Sequence, residues 1–194
     1  MKNETFNVVE PNQSLLKIRT FPVMHTLRTN LRPLVLPDAD RLYEIYSDRE
    51  AMKYRASPPM RLPEDAYTMI DESLEGFRDL SKIRWAIADR NNSELIGTGG
   101  FMHFENSGWL GEIGYSLDKN YWGVGIMTEV VIKLLEFGFE KLELESITAT
   151  CFIKNTRSVN MLAKLGFEEI ERFSASGNWY SPFANAIKYE LKNK

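Results

Sequence analysis

Apolar residues follow two kinds of pattern along the chain, and together these patterns predict an α+β fold. Alternating or short apolar runs between turn residues, typical of β-strands, predict strands over residues 26–36, 83–88, 95–102, 109–117, 146–152, 167–173 and 186–191. Apolar spacings of three and four, typical of amphipathic helices, predict helices that begin near Asp38 and Pro63 and others over residues 124–139 and 155–164. This mixed order of elements indicates helices packed around one sheet rather than a regular doubly wound sheet.

Two glycines, Gly123 and Gly125, stand between a predicted strand and the strongest predicted helix. Glycine lets the backbone turn tightly and approach a ligand, and the free N–H groups of a first helical turn favour an anion. The pattern therefore predicts a phosphate-binding loop. It lacks the Lys-Ser/Thr pair of a P-loop and the third glycine of a dinucleotide-binding fingerprint. Taken alone, the two glycines are equally compatible with an ordinary strand-to-helix turn.

A second segment, residues 155–167, combines a capping residue at a helix start with a glycine at the helix end. The two segments contain Tyr121-Trp122-Gly123-Val124-Gly125, Thr128-Glu129, Asn155-x-x-Ser158 and Lys164-x-Gly166-Phe167. Through these motifs the chain resembles the GNAT superfamily of acyl-CoA-dependent N-acetyltransferases, in particular its ribosomal-protein-alanine branch, over roughly residues 27–192. It departs from the family pattern at Asn120, usually Gln or Arg, and at Met127, commonly a small residue.

The resemblance implies both a fold and a cosubstrate. The expected GNAT fold is a mixed, mostly antiparallel sheet of about seven strands with about four helices, splayed at the acyl-CoA site. Acetyl-CoA is the expected cosubstrate, and no metal is expected. The residues expected to contact acetyl-CoA are Leu117, Trp122, Gly123, Val124, Gly125, Ile126, Met127, Asn155 and Ser158. Backbone N–H groups between Trp122 and Met127 would hold its pyrophosphate.

The implied reaction moves the acetyl group directly from the thioester to a primary amine. An alkylammonium has a pKa near ~10, so a carboxylate is needed to accept its proton, and Glu112 is the predicted base. The alternative for Glu112 is a solvent-facing strand residue. A backbone N–H near Leu117 would stabilise the oxyanion, and Ser158 would protonate the departing thiolate, unless it only satisfies the helix start. Tyr121 and Tyr180 are alternative proton donors.

The acceptor amine stays open at this stage. By resemblance, its pocket would draw on the first two helices and the late hairpin, through Tyr46, Arg55, Tyr67, Trp85, Trp179 and Tyr180. Most of these residues are expected in the core instead. The branch suggests the N-terminal amine of a ribosomal protein, while a polyamine, an amino acid or an antibiotic amine is chemically equivalent. A non-catalytic acyl-CoA-binding sensor module would use the same glycine loop without needing Glu112.

Composition and charge fit an enzyme domain rather than a nucleic-acid or membrane protein. The 194 residues are 43% hydrophobic, which suits a single core, and we expect an extension over residues 1–22 and one domain over 23–194. The net charge of −3 offers no basic field. The single cysteine, Cys151, permits no internal disulfide and lies in an apolar run, which disfavours a covalent acyl-enzyme. A cytoplasmic monomer or homodimer is expected.

Overall fold

The computed structural model describes residues 10–173 and 185–193, and its strands form one mixed sheet. The strands are β1 (Met24–His25), β2 (Thr29–Pro33), β3 (Ile83–Asp89), β4 (Leu95–Glu105), β5 (Leu110–Leu117), β6 (Ser146–Phe152), β7 (Glu168–Phe173) and β8 (Ala186–Lys192). The helices are α1 (Gln13–Leu16), α2 (Ala39–Ser47), α3 (Glu64–Arg78), α4 (Ile126–Glu140) and α5 (Thr156–Lys164). The sheet order is β1-β2-β3-β4-β5-β6-β8-β7, and among these described strands the β5–β6 pair alone is parallel. The predicted mixed, mostly antiparallel α+β sheet is confirmed.

The start of α4 differs from the predicted one, whereas α2 begins where the sequence predicts. Gly125 has φ +86°, so α4 begins at Ile126 and not at residue 124. Asp38 does occupy the cap position of α2, but its carboxylate accepts from the Val35 N–H at 2.9 Å and pairs with Arg32 at 2.7 Å. Its side chain therefore orders the chain segment that leads into α2, and it does not accept hydrogen bonds from the first N–H groups of the helix.

Two glycines of β4, Gly97 and Gly100, lie where neighbouring backbones come close. A Cβ at Gly97 would lie 2.3 Å from the Ser116 carbonyl oxygen, and one at Gly100 would lie 2.0 Å from the Ile83 carbonyl oxygen. Because backbone atoms cannot move away as a side chain can, these positions exclude larger residues. The glycines hold β4 tightly between β3 and β5.

Two apolar clusters pack on opposite faces of the sheet. The larger lies under α4 and α5, where Phe137 of α4 meets Trp85 of β3 with ring centroids 5.4 Å apart. The smaller lies under α2 and α3 and includes Tyr46 and Ile70. The i, i+4 spacing of Ile126, Val130 and Leu134 places all three in the larger cluster. No helix within the described ranges is long and apolar enough to cross a bilayer.

Residues 10–22, part of the predicted extension, pack against the domain. Leu15 joins the larger cluster. The buried Asn12 side chain donates to the carbonyls of Gly108 and Leu142 at 2.9 and 2.8 Å, and the Trp109 indole N–H donates to the Glu10 carbonyl at 2.7 Å. This segment thus satisfies polar groups on the turn before β5 and on the connection after α4.

The parallel pair β5–β6 separates along its length. Pairing runs from Leu110 with Ser146 to Ile113 with Ala149, although β5 continues to Leu117 and β6 to Phe152. Beyond Ile113 the two strands no longer bond to each other, while each keeps its partner on the other side. The splay expected in the middle of the sheet is therefore present, and it opens beside the glycine turn.

Candidate active site

A short turn connects the open end of β5 to the glycines. The Asp118 carboxylate accepts from the Asn120 N–H at 2.9 Å, which caps a single helical turn over Lys119–Tyr121. The Trp122 indole N–H then donates to the Leu117 carbonyl at 2.8 Å. This bond folds the turn back onto the end of β5, so the glycine loop lies next to the splayed strand.

The glycine loop has the backbone conformation that the sequence indicated. Gly123 has φ +79° and Gly125 has φ +86°, a left-handed region that disfavours other residues. Gly125 caps α4, whose first backbone bond runs from the Glu129 N–H to the Gly125 carbonyl at 3.2 Å. The N–H groups of residues 126–128 precede that bond and have no partner in the preceding turn. They provide the donors and the positive dipole end that a phosphate requires.

Helix α5 presents the second motif to the same place. The Asn155 side chain accepts from the Ser158 N–H at 3.4 Å, so Asn155 is the N-cap of α5. The Arg157 guanidinium lies 4.7 Å from the centre of the Trp122 ring. This cation–π contact links the start of α5 to the glycine loop and leaves both helix N-termini facing one cavity.

A cavity of about 410 Å³ adjoins the end of β5 that does not pair with β6. It brings together eight of the nine residues expected to contact acetyl-CoA: Leu117, Trp122, Gly123, Gly125, Ile126, Met127, Asn155 and Ser158. Val124 does not line it, and its side chain is exposed. The Arg28 guanidinium, which sequence reasoning missed, donates to the Val124 carbonyl at 2.7 Å from outside the cavity.

Ser158 and Tyr115 form a buried hydroxyl pair on the wall of the cavity. Ser158 is 8% exposed, and its hydroxyl lies near that of Tyr115, which makes no hydrogen bond of ordinary geometry in the described part of the chain. Burial raises the pKa of Tyr115, an effect that the Ser158 hydroxyl partly offsets. Both hydroxyls are therefore protonated at neutral pH and are able to donate a proton.

Glu112 lies on β5 but does not line the cavity. Its carboxylate is 3.4 Å from His103 Nε2, which also contacts Glu105 at 2.9 Å. Side chains alternate along a strand, so Glu112 shares a sheet face with Ser116, about 13 Å further along β5. His103, isolated in the sequence, thus joins two carboxylates in space, and the role of Glu112 as a base stays a prediction.

The residues expected in the acceptor pocket separate into three groups. Arg55 lines the cavity, together with Ala51 and Tyr54 from the same connection. Tyr46 and Trp85 are instead fully enclosed core residues, and Tyr67 is exposed on α3 without lining the cavity. Trp179 and Tyr180 lie outside the described residues. Tyr46 and Trp85 were expected in the pocket because they are aromatic, and aromatic residues are common in both cores and pockets.

Cys151 on β6 is buried beside this site, and burial raises the pKa of its thiol to about 11. At neutral pH the thiol stays protonated and is a poor nucleophile. This agrees with the prediction that no covalent intermediate forms on this residue.

The family is decided by a match over most of the chain. The sequence profile of the Acetyltransferase (GNAT) domain matches residues 28–168. The chain belongs to the GNAT acetyltransferase family. The uncharacterized N-acetyltransferase p20 of Bacillus licheniformis is 37% identical over 150 residues, which are 75% of this chain and 82% of p20.

Solved GNAT structures share the fold at low sequence identity. The ribosomal-protein-S5-alanine acetyltransferase of Vibrio fischeri has a TM-score of 0.74 and 21% identity, covering 89% of this chain and 97% of that one. The microcin C7 self immunity acetyltransferase MccE, in complex with acetyl-CoA and AMP, has a TM-score of 0.75 and 19% identity, covering 86% and 93%. These similarities support the fold alone.

GNAT acetyltransferases use acetyl-CoA as the acetyl donor, and the cavity lining has the groups that the pyrophosphate of this molecule requires. A Cβ at Gly123 would meet no atom within 4 Å, so the missing side chain leaves open space at the loop. Arg157 and Lys164 add positive charge to the lining near the N–H groups of α4. Free donors, open space and cations are what a pyrophosphate requires.

Proposed function

We propose that this GNAT acetyltransferase moves an acetyl group directly from acetyl-CoA to a primary amine in the cavity at the open end of β5. The observation that carries the proposal is the convergence of the glycine loop, the start of α4 and the start of α5 on one cavity at the strand splay. Two helix N-termini and a separated strand edge supply anion-binding and backbone-pairing groups in one place.

Each chemical demand has a proposed group. The N–H groups from Trp122 to Met127 bind the pyrophosphate, and a backbone N–H near Leu117 stabilises charge on the thioester oxygen. Ser158 gives a proton to the sulfur that leaves. Its backbone N–H serves the cap, and its hydroxyl lies beside that of Tyr115. Glu112 accepts the amine proton through water, because it lies too far along β5 for direct contact.

The proposed acceptor is the amine of a protein N-terminus or of a small molecule. The Tyr-Trp-Gly-x-Gly and Lys-x-Gly-Phe motifs support the ribosomal-protein branch. The lone, buried Cys151 supports a reducing, cytoplasmic setting.

An amine screen with a thiol-release readout tests the proposal. The wild type would be incubated with acetyl-CoA and, in turn, ribosomal N-terminal peptides, polyamines, amino acids and aminoglycosides, with a no-amine reaction to measure hydrolysis. We expect amine-dependent release of CoA and a product heavier by one acetyl group. Stabilisation by acetyl-CoA without amine-dependent release would favour a sensor module over a transferase.

A further inference from the structure

Two arginines flank one buried tyrosine, Tyr46, and one of them, Arg55, lines the cavity. The Arg55 guanidinium carbon lies 5.0 Å from the centre of the Tyr46 ring. Arg84, on β3, lies close enough that it and Arg55 together lower the pKa of Tyr46, against the opposing effect of complete burial. Both arginines are partly buried, and Arg55 lines the cavity.

These two guanidiniums lack the partners that the other partly buried arginines have. Arg28, Arg32 and Arg41 each pair with a carboxylate at 2.6–2.8 Å. Neither Arg55 nor Arg84 forms an ion pair within the described ranges, and the Nε atom of each is buried without a hydrogen bond. Arg84 does donate through Nη2 to the sulfur of Met102 at 3.5 Å, a weak acceptor. Two partly buried positive charges without a carboxylate partner destabilise the fold, and a bound anion would offset this cost.

The charge of the cavity is opposite to that of the chain. Its described lining includes Arg55, Arg157 and Lys164 but neither Asp nor Glu, whereas the whole chain has a net charge of −3. Arg157 lies against Trp122, beside the loop assigned to the pyrophosphate. Arg55 comes from a different segment, the connection between α2 and α3, which also contributes Ala51 and Tyr54 to the lining.

Arg55 and Arg84 lie on the acceptor side of the sheet. The Tyr46 hydroxyl bonds with Thr98 Oγ1 at 2.6 Å and lies near the hydroxyl of Ser116, a cavity residue next to Leu117. Side chains alternate along β5, so Ser116 and Tyr115 face opposite sides of the sheet. Tyr115, with Ser158, and Ser116, with Tyr46 and Arg55, therefore lie on opposite faces of the sheet. The proposed function assigns Ser158 to the thiol, which leaves the face of Arg55 for the amine.

Resting on the proposed function, we propose that the acceptor amine carries a carboxylate group and that Arg55, supported by Arg84, binds it. A guanidinium presents planar N–H donors in a fixed fork, and a planar carboxylate accepts two of them. The cavity of about 410 Å³ also has to admit the acetyl end of the donor, which favours a small acceptor. The acceptor class is therefore an amino carboxylic acid.

Matched acceptor pairs test this assignment. Acetylation would be measured for the standard amino acids and for their carboxamides, with spermidine and 2-aminoethyl phosphate as further probes. The enzymes would be the wild type, Arg55→Gln, Arg55→Lys, Arg84→Gln and the control Arg49→Gln, an exposed residue of the same connection. Thermal unfolding with CoA, with and without each acid, gives a binding readout that needs no turnover.

We expect at least one acid to be acetylated with a kcat/KM about 10- to 100-fold above its amide. Arg55→Gln removes most of that ratio, Arg55→Lys and Arg84→Gln remove part of it, and Arg49→Gln leaves it unchanged. The midpoint shift with CoA alone stays the same in Arg55→Gln, which separates acceptor binding from donor binding.

The assignment is overturned by any of three results, provided that CoA stabilises the wild type. The first is a wild type that acetylates amides, spermidine or 2-aminoethyl phosphate in preference to amino acids. The second is an acid-to-amide ratio of kcat/KM that Arg55→Gln leaves unchanged. The third is that no amino acid is acetylated and none shifts the midpoint of thermal unfolding. Absence of any shift with CoA itself instead contradicts the proposed function.

Discussion

The Arg28 side chain binds Glu129 and thereby ties the turn before β2 to the first turn of α4. Arg28 Nε donates to Glu129 Oε1 at 2.8 Å, and Nη1 donates to the Val124 carbonyl at 2.7 Å within the glycine loop. Glu129 suits the positive end of the helix but would repel a bound phosphate. Arg28 neutralises the charge of Glu129, and its bond to the Val124 carbonyl holds the glycine loop on the side away from the cavity.

Replacing Arg28 is therefore expected to loosen the glycine loop. We predict that Arg28→Ala raises KM for acetyl-CoA about 3- to 10-fold and lowers the free energy of unfolding by about 1 kcal/mol, because the pair is partly exposed. Arg172→Ala is the control, since it breaks the exposed Arg172–Glu169 pair on β7. Equal effects of the two substitutions on KM would contradict a specific role of Arg28.

Ser158→Ala tests the proton donor to the leaving thiolate. The cap bond uses the Ser158 backbone N–H, so alanine retains it, and the hydroxyl alone is lost. We predict that kcat falls about 10- to 100-fold while the midpoint shift with CoA stays near that of the wild type. Asn155→Ala serves as the comparison and should instead lower stability by about 1 kcal/mol. A kcat unchanged in Ser158→Ala would leave this residue a purely structural role.

Glu112→Gln tests the predicted base. We expect kcat/KM to fall about 10-fold or more, with a weaker dependence on pH at the acid limb, and we expect CoA binding to be unaffected. Glu105→Gln is the matched control, because Glu105 contacts the same histidine, His103, at 2.9 Å. The measurement is the rate of acetyl transfer as a function of pH for both variants. An unchanged profile in Glu112→Gln removes Glu112 from the mechanism.

The buried thiol of Cys151 predicts a pH dependence of stability. Burial raises its pKa from the ordinary 9.0 to about 11, so the unfolded chain loses this proton first as the pH rises. The stabilising contribution is complete below pH 9 and is lost between about 9 and 11, at up to about 1.4 kcal/mol per pH unit. Urea unfolding of wild type and Cys151→Ala across this range should show the steeper decline in the wild type alone.

The same variant addresses covalent catalysis. Cys151→Ala should retain kcat within about 3-fold, since a protonated thiol in an apolar strand does not attack the thioester. A loss of several hundredfold with normal stability would restore the acyl-enzyme hypothesis.

The parts of the molecule that local signals specify were predictable from the sequence. Gly123 and Gly125 adopt positive φ because the turn requires it, and Asn155 caps α5 because its side chain reaches an N–H three residues away. Alternating apolar residues predicted the strands, and apolar spacings of three and four predicted the buried face of α4, because both signals are periodic in the sequence.

Long-range contacts were not predictable in the same way. Arg28 lies 101 residues from Glu129, and Asn12 lies 96 residues from the carbonyl of Gly108, which it satisfies. No spacing rule connects such positions. Tyr46 illustrates a different limit, because an aromatic residue on the inner face of a helix suits a pocket and a core equally well.

The assignment of the glycine loop to acetyl-CoA is tested most directly by thermal unfolding of three proteins. They are the wild type, Gly123→Asp, which adds a carboxylate where a Cβ has open space, and Gly166→Asp, which imposes comparable backbone strain at φ +86° outside the loop. Saturating acetyl-CoA should raise the midpoint of the wild type and of Gly166→Asp by about 5–10 °C and leave that of Gly123→Asp unchanged. Equal shifts in all three proteins, or a shift in none, would contradict the assignment.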